Sequence, residues 1–214
     1  TILFDVSRSM NFTSSDGPTK LAYGSYLAAC LGYLATKQRD RVGIITFDQD
    51  IVTHVPPSAK HFDQVLHTLD RANPERPGQL SAPLHKMAEF FKRRGIVLLI
   101  SDFYDEPDAI FEAVKPFRFL GNDLIVFHVL DPQEITFDYK DASAFEDLES
   151  REQIPVVPDS FREEYRRLVR AHIDTLSSRF SEQRIDYMQV TTSEPLDRAL
   201  FSYLSSRERL MRVR

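Results

Sequence analysis

The 214-residue sequence is poor in several features that would fix a function at once. Cys30 is its single cysteine, so the chain forms no internal disulfide and has no cysteine zinc site; the residue reads as a small apolar side chain in a helix. No stretch approaches the roughly 18 apolar residues of a membrane span. There is no glycine-rich phosphate loop and no G-x-S-x-G nucleophile elbow. Basic character is lacking too: the formal net charge is −5 and the pI about 5.7, which argues against nucleic acid as the main partner.

What is present is an alternation of strand-like and helix-like segments. TILF, RVGIITF (41–47), IVLLIS (96–101), DLIVFHVL (123–130) and IDYMQV (185–190) read as buried strands. Helices are expected over 18–38, where apolar residues recur at helical spacing, and over 59–71, 81–94, 107–120, the charged stretch 159–182, and 194–207. Continuous apolar strands separated by helices predict an α/β fold. We expect a doubly wound, mainly parallel six-stranded sheet with helices on both faces. IVTHV (51–55) is expected as an antiparallel edge strand. The stretch 131–158 is expected to be irregular, with FEDLES and QIPVV forming a small β-hairpin insertion. No linker divides the chain, so 1–214 reads as one domain. Because the sequence starts inside an apparent strand, further residues are expected before Thr1, where a membrane anchor would fit.

Chemistry gathers at two strand ends. Asp5, Ser7 and Ser9 follow the first strand in D-x-S-x-S spacing. Ser101 and Asp102 follow the most hydrophobic strand, with Asp105 and Glu106 close by. In a doubly wound sheet, ligands sit beyond the carboxyl ends of the strands. Carboxylates and hydroxyls converging there suit a hard divalent cation such as Mg2+ or Mn2+. The same residue types also cap turns and helix starts, which is the structural alternative. Neither Ser7 nor Ser9 has a recognisable base among His54, His61, His67, His85, His128 and His172, so an enzyme is not expected. His128 reads as a core or sheet-edge histidine.

DVSRSM resembles the D-x-S-x-S signature of von Willebrand factor A domains, in which it forms a metal-ion-dependent adhesion site. DRVGIITFD, KRRGIVLLISDFYDEPD, the HVLDPQEITF segment, FEDLES and DYMQVTTSEPLDRALFSYL together resemble the domain-of-unknown-function-58 family, a bacterial branch of that fold. The resemblance implies a von Willebrand factor A-like, Rossmann-like fold. It implies metal ligands at Asp5, Ser7, Ser9 and Asp102. It also implies a protein-interaction module acting with a MoxR-type AAA+ ATPase in protein or cofactor maturation. From the missing base, the acidic charge and the lack of a long apolar run, the module is expected to be non-catalytic, cytoplasmic and without nucleic-acid or membrane contact by this chain. One departure stands out. Gly78 or Gln79 in RPGQLSAPL takes the place of a threonine in the family pattern, so the Mg2+ or Mn2+ site is expected to be weak. The alternatives are a metal-independent structural scaffold and a metal-dependent phosphohydrolase using Asp5.

Overall fold

The structure is a computed structural model, and it describes residues 1–14, 16–139, 143–146, 153–156 and 158–212. Its main sheet contains β1 (Ile2–Asp5), β2 (Val42–Phe47), β3 (Ile51–Ser58), β4 (Ile96–Ser101), β5 (Asp123–Leu130) and β8 (Asp186–Thr191), in the order β3-β2-β1-β4-β5-β8. Every pairing is parallel except β2 with β3. Two further strands, β6 (Ser143–Glu146) and β7 (Gln153–Val156), form a separate antiparallel pair. β7 falls on the expected QIPVV strand and β6 overlaps FEDLES at Phe145 and Glu146; residues 147–152 and 157 of the expected hairpin lie outside the described residues.

The continuous apolar runs have a simple cause: each central strand is buried on both faces. Ile2 and Phe4 face one layer, against Leu21, Leu27 and Leu31 of α1 (Lys20–Lys37) and Val65 and Leu69 of α2 (Phe62–Asp70). Leu3, between them in sequence, faces the other. That second layer holds Leu84 and Met87 of α3 (Ser81–Ala88), Phe111 and Phe117 of α4 (Pro107–Phe119), and Leu176 and Phe180 of α6 (Pro158–Glu182). Ala199 and Tyr203 of α7 (Leu196–Arg212) complete the first layer. Each wholly buried phenylalanine, such as Phe4 or Phe117, contributes about 1.5–3 kcal/mol of transfer free energy.

Two helices depart most from the sequence reading. The helix expected over 81–94 stops at Ala88. Glu89, Phe90 and Phe91 bond to carbonyls three residues back, tightening the chain so that the Phe91 ring meets Phe117 edge-on at 5.1 Å. Within the stretch read as irregular lies a five-residue helix, α5 (Pro132–Thr136). Asp131 and Glu134 form its capping box, and Pro132 takes the first helical position, where the missing N–H costs nothing.

At the edge, β3 runs past IVTHV to include Pro56 and Pro57, which an edge strand tolerates. A register shift in β2 opposite them centres on Gly43. A Cβ there would lie 2.5 Å from the Val55 carbonyl oxygen and 2.6 Å from the Pro57 nitrogen, so the close approach requires glycine. Among the described residues, no helix is long and apolar enough to cross a membrane.

Candidate functional site

The strand order reverses between β1 and β4: the chain continues from β1 towards β2 on one side and from β4 towards β5 on the other. Such a switch point opens a crevice beyond the carboxyl ends of the strands. β1 ends in Asp5, and β4 ends in Ser101 followed by Asp102. The sheet itself therefore brings the two polar clusters together.

Asp5 is buried and fully engaged. Its Oδ1 accepts the Ser7 backbone N–H at 2.9 Å, and its Oδ2 accepts the Ser101 hydroxyl at 2.6 Å. Beyond it a short 3-10 turn (Arg8–Asn11) folds the chain back, leaving the Ser7 and Ser9 hydroxyl oxygens 3.2 Å apart. Burial, and then the nearby Asp102 charge, push the Asp5 carboxyl up to about 7 against the pull of its hydrogen bonds.

Asp102 is buried beside this group, but its Oδ2 belongs to Lys20, whose ammonium lies 2.7 Å away. Lys20 is the first residue of α1, set by the Thr19 hydroxyl accepting from Ala22 N–H at 3.1 Å. Its side chain has no exposed surface, and its Nζ also reaches Glu134 Oε1 at 2.6 Å. The other Glu134 oxygen accepts the Asp131 N–H at 2.8 Å within the α5 capping box. The Tyr104 ring centroid lies 4.8 Å from the ammonium and that of Phe12 lies 6.0 Å from it. Burial pulls the Lys20 pKa down. The charges and hydrogen bonds of Asp102 and Glu134 outweigh that effect and hold it above the ordinary lysine value. Burial raises the Glu134 carboxyl, an effect Lys20 opposes.

Neighbouring residues shape this edge without joining it. Asp105 Oδ2 accepts the Leu80 N–H at 2.9 Å and so ties the 78–80 loop to the end of β4. Neither Gly78 nor Gln79 offers a hydroxyl. Phe103, directly after Asp102, adopts a left-handed conformation at φ 50 with its ring buried. Its carbonyl pairs with His172 Nε2 of α6 at 2.8 Å. His128 is buried in β5 with Nδ1 2.7 Å from the Tyr187 hydroxyl, and burial above all depresses its pKa to about 3. His61 and His85 pair with backbone carbonyls, and His54 stacks on Phe90.

Asp5, Ser7 and Ser9 thus sit together as the sequence suggests, and Asp102 adjoins them with its own counter-ion. The donors are all oxygen, mostly neutral, beside a carboxylate under negative potential, a set that fits a hard divalent ion held at Asp5, Ser7 and Ser9. No three His, Cys, Asp or Glu side chains gather as a metal cluster among the described residues. The sequence reading missed Lys20 and Glu134. Glu134 carried a signal, the D-P-Q-E capping box, whereas Lys20 carried none beyond its place at a helix start.

The sequence model of the family described as "Protein of unknown function DUF58" matches residues 1–175. The chain belongs to the DUF58 family. Solved structures of similar fold include an aerotolerance-related membrane protein from Bacteroides fragilis (18% identity, 94% of each chain covered, TM-score 0.62). They also include BatB from Bacteroides thetaiotaomicron (16% identity, 97% of each chain, TM-score 0.60). The von Willebrand factor A domain of SpRpn10 superposes as well, at 10% identity over 93% of this chain and 91% of that one (TM-score 0.53). No curated protein matches the sequence. At these identities the likeness establishes the fold alone: this DUF58 member has the von Willebrand factor A-like architecture.

Proposed function

We propose that this DUF58 domain is a non-catalytic protein-interaction module that grips its partner at the switch-point edge. The observation that carries the reading is the Asp5–Ser7–Ser9 group at the carboxyl end of β1, where the partly exposed Ser9 reaches the surface, with half-exposed Tyr104 over the Lys20 ammonium of the same crevice. Partly exposed aromatic side chains are common anchors of protein contacts. A Mg2+ or Mn2+ ion held by Asp5, Ser7 and Ser9 would supply an electrophilic centre for a partner carboxylate. With no threonine at Gly78 or Gln79, that contribution is partial. The partner we propose is a MoxR-type AAA+ ATPase, in protein or cofactor maturation. The setting we propose is the cytoplasm, either free or on a membrane-anchored chain, without nucleic-acid or membrane contact by this domain.

One observation favours a second reading, a metal-independent scaffold: Asp102 is already paired with Lys20. The phosphohydrolase alternative has less support. Both Asp5 oxygens accept hydrogen bonds, and the histidine contacts described lie away from Ser7 and Ser9. The test is calorimetry or a pull-down with the candidate ATPase, with and without EDTA, comparing wild type with Asp5→Ala and Asp102→Ala. Binding weakened by EDTA and by Asp5→Ala supports the ion-assisted grip. Binding that ignores EDTA and both substitutions assigns the contact to the surrounding surface. Phosphoester turnover lost in Asp5→Ala would overturn the module reading.

A further inference from the structure

We propose that the Lys20 ammonium is the resident cation of this crevice: it takes the charge-balancing place beside Asp102, confines any divalent ion to the Asp5–Ser7–Ser9 side, and keeps that ion weakly bound. The proposal rests on the reading that ions enter at Asp5, Ser7 and Ser9, but not on the identity of the partner.

Lysine is almost never fully buried without a pairing role, and Lys20 has no exposed side-chain surface. Its two carboxylates come from the residue after β4 and from α5, elements distant in sequence from α1, so the ammonium joins three parts of the fold. The arrangement is held from every side. Thr19 fixes the helix start, and the Asp131 N–H fixes the far oxygen of Glu134. The rings of Phe12 and Tyr104 flank the ammonium. Lys20 cannot swing away without leaving the buried Asp102 and the largely buried Glu134 uncompensated, which is strongly unfavourable. A divalent ion approaching Asp102 would therefore meet a fixed positive charge within a few ångströms, in surroundings that screen poorly. Loss of the threonine at 78–79 and the presence of Lys20 act in the same direction.

The experiment is Mn2+ titration of the full chain, reading free Mn2+ by electron paramagnetic resonance. The proteins are wild type, Lys20→Arg, Lys20→Gln and the charge-balanced Lys20→Met/Glu134→Gln, each checked for folding by circular dichroism. Lys20→Gln keeps a hydrogen-bond donor should the double variant fail to fold. Wild type and Lys20→Arg should bind Mn2+ weakly and alike. The neutral variants should bind it tighter by about tenfold or more, the scale expected for removing a unit charge this close to a dication. Adding Asp5→Ala to a neutral variant should abolish the gain. The proposal is overturned if a folded neutral variant binds Mn2+ no tighter than wild type, or if the gain survives Asp5→Ala. Neither result would bear on the EDTA arm of the ATPase pull-down, which reads protein contact with no metal bound, so failure of the two readings is separable.

Discussion

The Ser101 hydroxyl donates to Asp5 Oδ2 at 2.6 Å, linking the ends of two neighbouring parallel strands across the switch point. The bond partly compensates a carboxylate that burial and Asp102 push from 3.8 to about 7. The folded state therefore holds a proton that the unfolded chain releases above pH 3.8. For such a raised acid, stability falls as pH rises from 3.8 through about 7 and levels off above. Thermal melts in EDTA should show wild type losing stability over this window relative to Asp5→Asn, by a few kcal/mol at most. Parallel pH profiles for the two proteins would refute the assignment.

His128 should act with the opposite sign. Its pKa falls from 6.5 in the unfolded chain to about 3 in the fold, so its contribution is fully present above 6.5 and is lost as pH drops towards 3. Relative to His128→Gln, wild type should lose stability across that acid range. Melting temperatures taken alongside the Asp5→Asn series separate the two effects.

Lys20→Met alone should be among the costliest single changes in the domain. It strands Asp102 and Glu134 in a buried site, and breaking a buried ion pair from one side costs about 3–5 kcal/mol. Adding Glu134→Gln should recover part of that loss. Denaturant unfolding of the single and double variants measures the difference, and equal stabilities would show the pair to be uncoupled.

Gly43→Ala and Gly24→Ala should both destabilise, in that order. At Gly43 the new Cβ meets backbone atoms of β3 at 2.5 and 2.6 Å, and these cannot rotate away. At Gly24 it meets the Phe4 ring at 2.8 Å and an Ile100 methyl group at 3.3 Å, which can shift slightly. Overpacking of this kind costs about 1–3 kcal/mol, with Gly43→Ala expected at or beyond the upper end. Chemical denaturation would show the order, and a neutral Gly43→Ala would mean that β3 can move.

The sheet was legible because its evidence is local and repeated: each central strand is a continuous apolar run, and each run ends at a turn. The Asp5–Ser7–Ser9 group was legible for the same reason, since three residues within five positions share one strand end. Lys20 was not. Its partners lie 82 and 114 positions away, and a lysine beginning an amphipathic helix reads as solvated until the fold brings Asp102 and Glu134 to it. The early stop of α3 was equally hidden, because the packing of Phe91 on Phe117 is a tertiary event that helical periodicity does not encode.

The prolines of β3 bear on how other proteins can reach this domain. Pro56 and Pro57 lie on the outermost strand, and neither has an N–H to offer an incoming chain. A partner extending the sheet sideways at this margin would find the hydrogen-bonding rail interrupted for two consecutive residues. Lateral recruitment, and with it one route to runaway self-association, is blocked along that stretch. Approach from above, onto the loops that follow β1 and β4, meets no such obstacle.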